Sequence, residues 1–559
     1  MLDASAIVAG FDQLAPDQLR EAIENFLPRG STEERIGAIE AALRSPIGQS
    51  LRQAMARWIV DEIVPVQSLV PESYLKWRAP VREAMMYVVA HLSPARLAPK
   101  LLEQIEIPID TTAEVRLLRL IAKVPGLQKL GQVIARNQHL RPALRTALAK
   151  LENGIRDVKP EDMRAVIKQG LGPQLKTFDV RIAPAILSEA SVSAVIRFTW
   201  KNPETRQRER GVFKILKPHI PEYFAEDMDY LQGLAQYFGD RHRAYGFEAD
   251  LIPDTFRKVQ RLLRHEVNFK REQKTLLEAS TLYRSIPGIR IPRVIKPLCT
   301  STITALTEES GTKVTNAAAL LSSSGRQKLA EQLVEALIAI PLFAATPHAI
   351  FHGDPHAGNL LYNNRTRELT IIDWALRERL DREQRRHLAL LFLMVTLRDP
   401  LGTFHEIGAL SQHHIRATSR RGRMVRELVT DFLEELPPSR LPSGADAMRL
   451  LERVAIKGIK FHSSLIMLSK VMFTLEGILR DIVASDTGMA FALARQVARH
   501  WLSNRAAFRS PLRTRDWLTL QCSALLFTGR LWVQWEEAML NRLLTRKATP
   551  TPAARRTHS

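Results

Sequence analysis

Only two cysteines, Cys299 and Cys522, occur in 559 residues. Two thiols so far apart exclude a disulfide framework and a cysteine-rich zinc site, and they suggest a reducing compartment. Long apolar runs are also missing, since no window reaches the roughly 18 uninterrupted apolar residues of a membrane span. The nearest approach, LTLQCSALLFTGRLWVQW at 518–535, is broken by Gln521 and Arg530 and reads as a packed or interfacial helix. The opening MLDASAIVAGFDQLAPDQL carries acids but no basic stretch, so no secretory leader is expected. No zinc-finger spacing or aromatic RNA-binding signature occurs, and no nucleic-acid partner is expected.

Acidic residues are outnumbered, 59 against 80 Lys and Arg, for a net charge of +21. The excess gathers in RQRER (206–210), RATSRRGRMVRE (416–427) and the tail AARRTHS. Such a field favours anionic partners, either a nucleotide or a phospholipid surface. A hydrophobic fraction of 45% with 25% charged residues is that of a globular chain, and the length calls for more than one core. The expected location is the cytoplasm, with peripheral docking on the inner face of the membrane as the variant the basic charge allows. Oligomeric state is not legible.

Residues 1 to about 170 read almost wholly as helix. STEERIGAIEAALRS begins with a Ser31–Glu34 capping box, and LLRLIAKVPGLQKLGQVIARN continues the helical period with a break at Pro125-Gly126. From about 178 the period changes. SVSAVIRFTW and RGVFKILKP flank the polar turn KNPETRQRE, a hairpin signal. A helical stretch is expected at 253–280, strand-like runs at IRIPRVIKPL and STITALTEESG, helix at 317–346, and helix again beyond 380. The expected class is therefore α+β, a bilobal protein-kinase-like fold with a small β-rich N-lobe, a helical C-lobe and helical extensions at both ends. The expected partition is 1–118, 119–177, 178–310 (N-lobe), 311–420 (C-lobe) and 421–559.

Against that order, FHGDPHAGNLL at 351–361 is the densest chemistry in the chain. Phosphoryl transfer needs oxygen ligands for a divalent metal, a carboxylate near the nucleophile and a cation on the phosphates. Asp354 and Asn359 are five apart, and Asp373 in LTIIDWA lies fourteen beyond Asn359. LLY and LTII around NNRTRE read as a hairpin, which brings Asn359 and Asp373 to its open end as magnesium ligands, with Asp354 as the catalytic carboxylate. His352 is expected to orient the loop. Upstream, Lys214 sits mid-strand in GVFKILKP as the nucleotide lysine, with Lys217 as the weaker competitor. Its helix-borne partner should be Glu266 or Glu272 in RHEVNFKREQ, and Glu266 is favoured. The segment expected over the phosphates, LSEASVSAV at 187–195, has no glycine.

With these residues placed, the chain resembles the ABC1/ADCK/UbiB (AarF) family of atypical protein-kinase-like ATPases over about residues 120–395. QKLGQVIARNQHL carries that family's K-x-G-Q motif as Lys129, Gly131 and Gln132. PAILSEASVSAVIRF sits at its alanine-rich phosphate loop, HEVNF at its E-x-D motif with Asn268 for the second acid, and IIDWA at its D-F-G equivalent. The resemblance implies ATP and Mg2+ as cofactors, an ATPase or kinase activity tied to lipid or isoprenoid-quinone metabolism, and a lipid or isoprenoid acceptor. It implies Lys214, Ser191, Ser193, Lys129 and Gln132 as nucleotide-site residues and Glu266 as catalytic. Two other readings stand beside it. H-G-D-x-x-x-x-N with I-D-W is also similar to aminoglycoside and choline kinases, which lack the K-x-G-Q segment. A nucleotide-binding pseudokinase scaffold is the third.

Overall fold

The computed structural model describes residues 25–135, 158–483 and part of 511–525, apart from a few positions within those ranges. Most of the expected helical start of the chain, before residue 25, and of the apolar run at 518–535 falls outside the described residues, as does Cys522. The chain divides into two compact units, Met1–Gln273 with Val294–Glu308, and Lys274–Arg293 with Glu309–Ser559.

The first unit begins with helices. The Thr32–Arg44 helix starts on the expected capping box: the Glu34 amide donates to Ser31 Oγ and the Ser31 amide to Glu34 Oε2, at 3.3 and 2.9 Å. The break near Pro125 is also present, between the helices Ala113–Ile121 and Pro125–Ala135, with proline at the first helical position where it lacks only an unused N–H.

The strands are β1 (Arg181–Glu189), β2 (Ser193–Lys201), β3 (Arg208–Leu216), β4 (Ile289–Arg290), β5 (Ile303–Thr307), β6 (Thr312–Lys313), β7 (His348–His352), β8 (Leu360–Asn363), β9 (Glu368–Ile371) and β10 (Arg377–Asp381). In the first unit, β1, β2, β3 and β5 form one antiparallel sheet in that order. Strand periodicity sorts its faces. Ala194, Ile196, Phe198 and Trp200 of β2 are buried with Phe213 and Ile215 of β3, under Met163, Ile167 and Leu171 of the helix Pro160–Thr177. Phe198 stacks on Phe213 at 3.9 Å, and a Cβ at Gly211 would sit 2.5 Å from the Phe198 ring, which keeps that position free of a side chain. Lys214, one residue out of phase with Phe213 and Ile215, projects from the other face.

Two expectations need correction, and one helix was not expected. The stretch 253–280 is not one helix but two, Leu251–Glu266 and Phe269–Tyr283, divided at Val267-Asn268. A further helix, His219–Arg241, precedes them. IRIPRVIKPL yields the two residues of β4, a single bridge from Val294 to Leu306 and a 3-10 turn at Lys296–Leu298, because Pro292 and Pro297 cannot donate to a ladder.

Among the described residues, the second unit holds two small sheets. β7 pairs with β10, and β4, β9, β8 and β6 form the other sheet in that order. The expected hairpin is β8 and β9, in register Leu360↔Ile371 and Asn363↔Glu368. Around these lie the helices Ser323–Val334, Arg382–Thr396, Pro400–Leu410, Arg420–Glu435, Gly444–Ile456 and Ser463–Ile482. Among the described residues no helix is long and apolar enough to cross a membrane.

Candidate active site

The candidate residues form two clusters, one in each unit. In the first, Lys214 Nζ donates to Glu272 Oε1 at 2.7 Å and lies 5.8 Å from the centre of the Phe269 ring. Only 13% of the lysine side chain and 2% of the glutamate side chain is exposed, so the pair is screened little by solvent. Glu272 sits in the first turn of Phe269–Tyr283. Asn268 caps that helix, its Oδ1 accepting from the Arg271 amide at 2.9 Å. Asparagine caps as well as aspartate does, so the amide at this position keeps Glu272 in place.

Glu266, favoured as the partner of Lys214, is engaged elsewhere. It ends the preceding helix, accepts from Lys129 Nζ, and accepts from Ser191 Oγ at 3.3 Å. The helix break at Asn268 turns Glu266 and Glu272 to separate tasks, and Glu272 is the one facing β3. Ser191 is buried in the turn between β1 and β2, and Ser193 is buried on β2 opposite Leu216. The side chain of Gln132 lies outside the described residues.

Lys217 is fully buried, 3.3 Å from Glu189 Oε2, and its amide donates to the Val192 carbonyl at 3.0 Å. It fastens the stem of the β1–β2 turn. The Ala190 amide closes that turn on the Ser193 carbonyl at 2.8 Å. No residue from 187 to 195 has a positive φ, so the turn forms without glycine.

In the second unit, the loop after β7 is built on His352. This buried ring directs Nε2 at the carbonyls of Asp373 (2.8 Å) and Ile372 (3.1 Å), while its Nδ1 accepts from the Asp354 amide at 3.2 Å. Burial lowers its pKa against the opposing pull of Asp373 and Asp354, which keeps the ring neutral with one nitrogen donating and one accepting. Both nitrogens are committed to the backbone, so His352 orients the loop. His356 Nδ1 accepts from the Gly358 amide at 3.1 Å and caps the turn Ala357–Asn359.

Asn359 Nδ2 donates to the Asp354 carbonyl at 3.1 Å, and the Ile372 amide donates to the Asn359 carbonyl at 2.9 Å. The hairpin's open end thus holds Asn359 and the segment leading to Asp373 side by side. Asp373 has φ of +56°, a left-handed conformation that aspartate and asparagine tolerate better than most residues. Asp354 carries a contact that the sequence reading missed: Lys470 Nζ, from the helix Ser463–Ile482, donates to its Oδ1 at 2.9 Å. The available signal was a lone charge between Ser463 and Leu475 of an otherwise uncharged helical run.

Among the described residues no three His, Cys, Asp or Glu side chains gather to hold a metal ion. The donors present are an amide oxygen and carboxylates. Because the Asn359 nitrogen is spent on Asp354, its Oδ1 is the atom left to act as a ligand. Hard oxygen donors, few in number, fit Mg2+, which keeps water and phosphate oxygens in its shell.

Residues 150–404 match the ABC1 atypical kinase-like domain. The chain is similar to "Probable protein kinase UbiB" of Pasteurella multocida, at 23% identity over 67% of this chain and 72% of that protein. The protein of the same name in Haemophilus ducreyi is also 23% identical, over 75% and 76%. "Protein ACTIVITY OF BC1 COMPLEX KINASE 7, chloroplastic" of Arabidopsis thaliana is 23% identical over 63% of this chain and 50% of that protein. The solved complex of Rv3197 with erythromycin from Mycobacterium tuberculosis aligns with a TM-score of 0.42 and 16% identity, over 64% of this chain and 87% of that one.

Proposed function

We propose that this chain, whose residues 150–404 match the ABC1 atypical kinase-like domain, binds ATP with magnesium and hydrolyses it or transfers its γ-phosphate, in lipid or isoprenoid-quinone metabolism. The observation that carries the reading is the Lys214–Glu272 pair, a strand-borne ammonium held at 2.7 Å by a buried helix-borne carboxylate. That arrangement holds a lysine on nucleotide phosphates in protein kinases. In this reading Lys214 binds the phosphates and Glu272 orients it. Glu266 links Lys129 of the K-x-G-Q segment to Ser191 of the phosphate loop, and Ser191 and Ser193 shape that loop.

In the second unit, Asn359 and Asp373 would hold Mg2+, which supplies charge neutralisation on the phosphate oxygens when bound. Asp354 accepts the proton of the attacking hydroxyl or water. His352 fixes the backbone of both acids. The Lys129–Glu266 contact favours the ABC1-type reading over an aminoglycoside or choline kinase, which has no K-x-G-Q segment. The net charge of +21 suits docking on an anionic membrane, at about 1 kcal/mol per well-placed cation.

Thermal unfolding with and without MgATP tests the binding step. A ligand at about 100 times its Kd stabilises by about 2.7 kcal/mol, so the native chain should melt several degrees higher with MgATP. Lys214→Met should lose most of that shift. No shift in the native chain contradicts the reading.

A further inference from the structure

We propose that Lys470 is a further catalytic residue of the phosphoryl-transfer site, holding the Asp354 carboxylate and presenting its ammonium to the phosphate being transferred. The inference rests on the reading of Asp354 as the proton acceptor, and it adds a cation supplied from outside residues 150–404.

Four observations carry it. Lys470 Nζ donates to Asp354 Oδ1 at 2.9 Å across 116 residues of sequence. The side chains are 33% and 23% exposed, so the pair belongs to neither the core nor the open surface. The helix that bears Lys470 is pinned by buried Leu465, Leu468, Val471, Met472 and Leu475, so the ammonium is delivered from a rigid element. Finally, the loop from Asp354 to Asn359 supplies no permanent cation of its own. It reads Asp-Pro-His-Ala-Gly-Asn, and its histidine ring accepts a backbone hydrogen bond.

The chemistry asks for such a cation. An ionised carboxylate beside the reaction centre repels an incoming polyphosphate, and charge spreads over the phosphoryl oxygens as transfer proceeds. In the step itself, the acceptor oxygen bonds to the γ-phosphorus while the bond to the β-phosphate bridging oxygen breaks. ADP leaves with that electron pair, and the acceptor's proton passes to Asp354. Lys470 keeps its proton throughout and contributes charge and position only.

The full chain, Lys470→Met and Lys470→Arg are compared in phosphate release from MgATP, and in affinity for ADP and for a non-hydrolysable ATP analogue. Lys470→Met should lose at least tenfold in kcat, keep its affinity for ADP within twofold, and lose the native preference for the analogue over ADP. Lys470→Arg should restore most of the rate. Native kcat in Lys470→Met overturns the proposal. So does a loss in both variants that comes with a lower melting temperature and weaker ADP binding, the signature of a packing contact. Should the native chain bind nucleotides but release no phosphate, the analogue-to-ADP ratio decides alone, and an unchanged ratio in Lys470→Met overturns the proposal. A native chain that binds neither nucleotide defeats the phosphotransferase reading itself, and this inference with it.

Discussion

Glu266 and Glu272 lie six positions apart and hold different lysines, Lys129 and Lys214. A charge-assisted hydrogen bond contributes about 1.5–3 kcal/mol, and its loss at a nearly buried lysine converts to roughly ten- to a hundredfold. Glu272→Gln should therefore cut ATP turnover at least tenfold. Glu266→Gln frees Lys129 and Ser191 but leaves the Lys214 pair intact, and its loss should be clearly smaller. Steady-state phosphate release for both variants checks the ranking, and a larger loss in Glu266→Gln contradicts it. The sequence exposed both candidates and favoured Glu266, whereas the carboxylate in contact with Lys214 is that of Glu272. The deciding residue is Asn268, whose cap starts a new helix; a mid-helix asparagine carries only a small propensity cost, so the break is not compelled by sequence.

At the scale of elements, short-range signals were legible. The β8–β9 hairpin follows from apolar runs around the polar turn NNRTRE, and the Ser31 capping box from a spacing of three. The β2–β3 hairpin follows in the same way from its turn. What failed was the stretch 289–298, where β-branched residues suggested a strand and two prolines prevented one. The helix His219–Arg241 was left unassigned, and it carries a buried pair that no local pattern announces. Asp227 Oδ1 accepts from Arg96 Nη1 at 2.7 Å, and its Oδ2 accepts from the Gly126 amide at 3.0 Å, at the start of the helix that bears Lys129. Removing one partner of a buried pair leaves the other charge uncompensated, at a cost of about 3–5 kcal/mol. Asp227→Ala should lower the denaturant midpoint accordingly with an unchanged slope, and Arg96→Met with Asp227→Leu should recover much of the loss. A shift in Asp227→Ala worth under about 1 kcal/mol would show that the pair contributes little.

For the whole molecule, the order of helical extension, β-rich segment and helical segment was legible because hydrophobic period changes from 3.6 to 2 and back. The contacts that complete the clusters were not. Lys470 meets Asp354 across 116 residues, and Arg96 meets Asp227 across 131. Periodicity carries no information about which distant helix will meet which loop. The match to residues 150–404 stops short of Lys470 and begins after Lys129, so both contacts are supplied by helical regions flanking the matched domain. Asp373 holds a left-handed φ of +56°, which asparagine also adopts readily, so Asp373→Asn removes the carboxylate charge proposed to hold Mg2+ without forcing the backbone to move. Phosphate release from MgATP by the native chain and by Asp373→Asn is the most direct measurement. The native chain should release phosphate, the variant should do so at least a hundredfold more slowly, and the melting temperatures should agree within about 2 °C, since a change at exposed Asp373 moves stability by roughly 0.5 kcal/mol or less. Equal rates, or no phosphate release by either, would rule out Asp373 as a ligand of a working phosphotransferase site.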